Sequence, residues 1–273
     1  MSAAALLHRA AFGDRPGEHP LPGSELGVQR WERAVALGGQ GRYAAAAAEL
    51  GRLDTADHAP ELRSLALSTR ASHRRQLGNH TGARGDDGAA LVLAGSSAQA
   101  RCDALVGLAA DALGPGRVRL ARALLARARA ELGEAPSRCE IRWCWVAAET
   151  ELVAGQGAAA RGHAHRGREL AESGTSLRHQ VKSGLVLAAT LSGAPATELA
   201  ENVLAVAEQQ RLIPLVWACT LLLAESEREG GRAPCGRASK ADLHIKNTVS
   251  HGLITQWGAM LLAGHGTWPT RPG

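Results

Sequence analysis

The chain has 273 residues, enough to bury a substantial core, and its 45% hydrophobic content places it among globular rather than disordered sequences. Aromatic residues are only 3% and the apolar content is mostly Ala, Leu and Val, which points to helices and away from a β-sandwich or barrel. A formal net charge of +5 is compatible with an acidic partner, but only three of the 31 basic side chains are lysine (Lys182, Lys240, Lys246), the arginine excess expected of a GC-rich genome.

Residues 1–24 read as a flexible lead-in: a short Ala/Leu stretch followed by the Pro- and Gly-rich run over 13–24. The stretch lacks the charged start and long apolar core of a secretory signal, and no run approaches the 18 apolar residues of a membrane span. From 25 to 229 the apolar spacing predicts helices near 25–39, 43–55, 61–77, 80–94, 98–113, 117–133, 138–154, 158–173, 177–192, 196–210 and 214–229. Ser24 and Ser137 stand where helix N-caps belong, Pro60 and Pro195 at helix starts, and Gly133 and Gly174 where left-handed C-caps belong. The segment 230–273 reads as a linker (GGRAPCG, 230–236), a weakly amphipathic helix over about 240–263 that caps the preceding helices, and a disordered tail.

Gly41, Gly78, Gly116, Gly155 and Gly193 recur at intervals of 37, 38, 39 and 38 residues, and the first four are followed five positions later by Ala46, Ala83, Ala121 and Ala160. A fixed period of this size signals stacked structural repeats. Glycine permits the tight turn inside each helix pair, and the alanine lets two helix backbones approach. The expected fold is all-α, a right-handed α-solenoid of about five antiparallel helix pairs. Gln40-Gly41-Arg42-Tyr43-Ala44-Ala45-Ala46, with Leu50 and Leu53 after it, resembles the turn and second helix of a tetratricopeptide repeat. Segments starting at Gly78, Gly116 and Gly155 resemble further copies, over roughly residues 25–229. The period exceeds the 34 residues of that family, the aromatic after the turn survives only as Tyr43, and Glu198 stands where the fifth copy needs a small residue. The resemblance implies a binding scaffold for a peptide or protein.

Phosphate-loop, dinucleotide, zinc-protease and serine-hydrolase motifs are all missing from the sequence, so no catalytic residue and no cofactor is expected. His163 and His165 on one helix point in opposed directions, as do Glu149 and Glu151, so neither pair forms a metal or acid–base site. Five cysteines without a CxxC pair fit reduced thiols in the cytoplasm better than a disulfide framework. Arg63, Arg101 and Arg178 each precede their repeat's glycine by 15 residues, and Glu140, flanked by Arg138 and Arg142, takes that place in the fourth repeat. A regular stack would line these up, with His179 and Lys182 extending the patch and Trp145 as a recognition aromatic. The expected ligand-binding set is therefore Arg63, Arg101, Arg142, Trp145, Arg178, His179 and Lys182. Trp143 and Trp217 are the other candidate aromatics, with core packing the more ordinary role. The function read from this is a non-catalytic scaffold for an acidic protein or peptide partner. The alternative is a nucleic-acid-associated or regulatory protein using the arginine face.

Overall fold

The computed structural model describes residues 1–55 and 57–230; the helix expected at 240–263 and the linker beyond Gly230 lie outside the described residues. Twelve α-helices and no strand occur among them, so the protein is all-α there. They are α1 (Ala3–Phe12), α2 (Gly27–Gly39), α3 (Tyr43–Gly51), α4 (Pro60–Gln76), α5 (His80–Leu93), α6 (Ala98–Leu113), α7 (Val118–Arg129), α8 (Ser137–Val153), α9 (Gly157–Glu172), α10 (Leu177–Ala188), α11 (Ala194–Gln209) and α12 (Ile213–Gly230). No described helix is long and apolar enough to cross a membrane.

Helices α2 to α11 form five consecutive pairs. Inside each pair the turn carries one glycine of the periodic series in the left-handed region, at φ 76° (Gly41), 80° (Gly78), 73° (Gly116), 72° (Gly155) and 66° (Gly193). Ala46, Ala83, Ala121 and Ala160 are each 0% exposed, so the second helix of each of these pairs lies against its neighbours at the alanine. The fifth pair is shifted. Gly193 sits directly before α11 rather than two residues before it, and the fully buried small residue becomes Ala200, leaving Glu198 exposed. The mismatch in the sequence is thus a longer turn rather than a lost contact.

Several expected caps are replaced. Ser24 donates to Glu49 while Leu26 takes the N-cap of α2, and α8 begins at Ser137 itself behind Pro136. Side-chain caps are supplied instead by Ser2, Asn79 and Ser97, whose oxygens accept backbone N–H groups of α1, α5 and α6. Gly133 and Gly174 are not left-handed.

The first helices of successive pairs also touch, α2 with α4, then α4 with α6, α6 with α8, α8 with α10 and α10 with α12. The second helices make no comparable contact with one another, so the array curves with α2, α4, α6, α8, α10 and α12 on its inner side. Side-chain bonds along this layer span about one repeat. Trp31 Nε1 donates to Thr69 Oγ1 at 2.9 Å and Trp145 Nε1 to Ser183 Oγ at 2.8 Å, each bridging 38 residues.

The curve brings the chain's beginning to its last helices. Helix α1 buries Leu7, Ala10 and Ala11 and packs on both α2 and α10. The run over 13–24 is fastened rather than free: Gln40 donates to the Pro16 and Glu18 carbonyls, and Arg33 to those of Leu21 and Pro22. Leu177 N–H donates to the Gly13 carbonyl at 3.1 Å.

Two glycine substitutions separate turn from helix. Gly155→Ala meets no neighbouring atom but must hold φ 72°, so it lowers unfolding free energy by about 1–2 kcal/mol. Gly85→Ala, in the open face of α5, raises it by about 0.5–1 kcal/mol. Urea denaturation of the two proteins checks both signs.

Candidate functional site

The inner layer encloses a cavity of about 290 Å³ lined from α1, α2, α4, α6, α8, α10 and α12, with His80 at the start of α5. Its apolar wall includes Phe12, Trp31, Val35, Val106, Val146, Leu185 and Leu215. Five cations line it, Arg75, Arg138, Arg142, Arg178 and Lys182, against two carboxylates, Asp103 and Glu149.

Each charge has a defined setting. Arg138 Nη2 lies 2.6 Å from Asp103 Oδ2, and Arg142 Nη1 binds the other oxygen of the same carboxylate. Burial works against the Asp103 charge, yet the two guanidiniums outweigh it and hold its carboxyl below the usual range. Arg138 also lies over the rings of Phe12 and Trp31, 5.4 and 5.5 Å from their centroids. Two guanidiniums on one carboxylate leave a surplus positive charge at this end of the cavity.

Arg178 adds to it. Its Nη2 makes a long contact of 3.4 Å with the Ala11 carbonyl, its buried Nε has no hydrogen-bond partner, and no carboxylate pairs with it among the described residues. Burial, with repulsion from Arg142 and Arg138, lowers its pKa to about 10, so it stays charged at neutral pH. His179 stacks on Trp145 at 5.4 Å between centroids, and burial drives its pKa well below the ordinary histidine value. Lys182 reaches Glu149 at 3.5 Å and lies 5.9 Å from the Trp145 ring centroid. His73 fills the space above Gly38, where a Cβ would sit 2.0 Å from the imidazole Nε2. Burial lowers His73 to about 4, with Arg178 and Arg75 adding to the effect.

Arg75 faces the opposite imbalance. Its Nη1 lies 2.9 Å from Asp87 and 2.6 Å from Asp111, both buried, in room left by Gly107. Asp87 Oδ1 and Asp111 Oδ2 are buried without a partner. Burial pushes Asp87 up to about 7 against the pull of Arg75, and pushes Asp111 upward as well. Both shifts favour a proton on this pair of carboxyls, which would offset the excess of carboxylate over guanidinium charge.

Of the residues singled out in the sequence, Arg142, Trp145, Arg178, His179 and Lys182 line the cavity. Arg63 and Arg101 do not. Arg63 stays on α4 outside the cavity, and Arg101 Nε pairs with Glu131 at 2.8 Å. Glu140 faces Arg166 rather than the interior. Trp143 is core, donating to the Leu125 carbonyl, while Trp217 is 40% exposed. Arg75, His73, Asp87, Asp103 and Asp111 belong to no motif or repeat offset in the sequence. Their available signal was acidic residues on apolar helix faces, as in Cys102-Asp103-Ala104-Leu105.

No protein-family model matches the chain, and comparison with curated proteins returns no significant match.

The Asp87 shift fixes a pH dependence. Its folded pKa lies above its unfolded value of 3.8, so the native state binds the extra proton and loses stability as pH rises from about 4 to about 7. Asp103, shifted the other way, acts only below about pH 4. Asp87→Asn removes the first loss, so its stability relative to the parent rises between pH 5 and pH 8. Urea melts of both proteins at the two pH values read the difference.

Proposed function

We propose that the protein is a non-catalytic binding scaffold whose helix pairs stack as a right-handed, tetratricopeptide-like α-solenoid, with the concave cavity receiving a short acidic segment of a protein or peptide partner. The observation that carries this reading is the charge surplus of the cavity: Arg138, Arg142, Arg178 and Lys182 face only two carboxylates, Asp103 and Glu149, within a largely apolar wall, while Arg75 is taken up by Asp87 and Asp111. Supporting the stacked arrangement are the periodic left-handed glycines and the Trp31–Thr69 and Trp145–Ser183 bonds that span one repeat. An extended acidic peptide offers carboxylates that guanidinium groups grip in pairs, and its backbone offers contacts to His179 and Trp145. Four buried, unpaired cysteines, Cys102, Cys139, Cys144 and Cys219, suit a reducing cytoplasmic setting. The nucleic-acid alternative has less in its favour, because Arg63 and Arg101 do not join Arg178 in one row.

Binding of three sets of short peptides, acidic, neutral and lysine-rich, followed by tryptophan fluorescence, tests the reading. Acidic peptides bind selectively, and Lys182→Glu weakens them at least about tenfold, equivalent to about 1.4 kcal/mol. Binding indifferent to peptide charge, or unchanged by Lys182→Glu, contradicts it.

A further inference from the structure

A second, separate pocket of about 230 Å³ lies where the lead-in meets the α11–α12 turn, lined by Gly17, His19, Gln40, Arg42, Arg211 and Ile213. Three segments contribute: the run before α2, the α2–α3 turn and the α11–α12 turn. The approach is close, since a Cβ at Gly17 would sit 2.6 Å from the Gln210 carbonyl oxygen and one at Gly41 would meet Ile213 at 3.3 Å. The pocket wall holds two arginines and a histidine and no carboxylate. Neither arginine has an ion pair among the described residues, and Glu18, beside His19, is engaged by Arg15 at 3.2 Å.

We propose that this pocket binds a phosphate-class oxyanion, held by Arg42 and Arg211 with His19, that ties the first helix pair to the last. Arg42 Nη1 lies 3.0 Å from His19 Nδ1. A guanidinium only donates, so Nδ1 accepts and the ring's proton sits on Nε2, leaving a neutral donor beside two cations. Both arginines also stand at helix starts. Arg42 is the N-cap of α3, which has no side-chain cap, and Arg211 comes two residues before α12. Cations oppose the helix dipole at such ends, so the stability of α3 and α12 does not account for them; an anion between them satisfies the guanidiniums and both helix ends together.

The backbone supplies an independent sign. Arg211 has φ 53° and is the one non-glycine residue in the left-handed region among the described residues. It occupies the place in its turn, after Gln210, that Gly41 occupies after Gln40. Glycine avoids the strain of this conformation, and arginine accepts it. An arginine kept at a position that glycine would relax, and lining an acid-free pocket, fits a binding role for that side chain.

The test is thermal unfolding of the whole chain in sodium phosphate against sodium chloride at equal ionic strength, with acetate and O-phosphoserine as further arms. Phosphate raises the midpoint by about 3 °C or more, acetate less, and a larger rise with O-phosphoserine identifies a phosphomonoester rather than free phosphate as the better occupant. Arg42→Ala abolishes the phosphate shift. Arg211→Gly abolishes it too while raising the midpoint in chloride, since glycine relieves the strained turn; this protects the test against simple misfolding. Arg127→Ala, on the outer face of α7, keeps the shift. A parent protein with no phosphate-specific shift, or a shift retained in both Arg42→Ala and Arg211→Gly, overturns the proposal.

Discussion

The contact between the start of α10 and the end of α1 is the constraint on which the interior depends. Leu177 offers a backbone N–H that has no partner within its own helix, and the Gly13 carbonyl just past α1 accepts it. Arg178 then places a guanidinium at the carbonyl end of α1, with its Nη1 3.7 Å from where a Cβ on Gly39, at the end of α2, would lie. A cation at the start of its own helix is locally unfavourable, but two helix C-termini face it and offset the loss. The Leu177 N–H and the Gly13 carbonyl of distant segments thereby satisfy one another, and α1 is held as one wall of the cavity.

The charges inside follow from that enclosure. Inner helices one repeat apart exchange ion pairs, but the pairing is uneven: Asp103 of α6 takes two arginines of α8, and Arg75 of α4 takes Asp111 of α6 together with Asp87 of its own partner helix α5. The first imbalance leaves positive charge at the cavity; the second, behind its wall, pushes the Asp87 and Asp111 carboxyls toward their protonated forms. Removing one partner of such a buried group costs far more than the pair contributes, so these residues fix the spacing of α4, α6 and α8 as much as they stabilise it. His73 and His179, held neutral by burial, contribute polar edges to the cavity without adding to its charge.

Much of the helical framework was legible from periodicity, because apolar spacing and left-handed glycines act locally. Helix α6 was expected at 98–113 and occurs at Ala98–Leu113, and the other ten expected helices fall within a few residues of their observed bounds. Helix α1 was missed because its stability comes from burying Leu7, Ala10 and Ala11 against distant helices, which a ten-residue segment does not advertise. The run over 13–24 has the composition of a free linker, yet side chains of Gln40 and Arg33 capture its carbonyls. The arginine row failed for a geometric reason. An equal offset from a glycine does not fix where a side chain goes: Arg101 turns to Glu131, and neither it nor Arg63 reaches the cavity that Arg178 lines. Arg178 was legible as a cation; its role in holding α1 was not, since it depends on a contact 167 residues away.

The closure of the inner layer by α1 and the lead-in, held against α10 and the α11–α12 turn, is the central claim, and a distance measurement tests it most directly. Spin labels on cysteines introduced at Asp14 and Glu208, in a background with Cys235 replaced by serine, read the separation of the lead-in from the last turn by electron–electron resonance. The native cysteines Cys102, Cys139, Cys144 and Cys219 are buried and so shielded from label. A single short, narrow distance distribution is the result the account predicts. A long or broad distribution would show that the lead-in and the α11–α12 turn are not held together, and would contradict it.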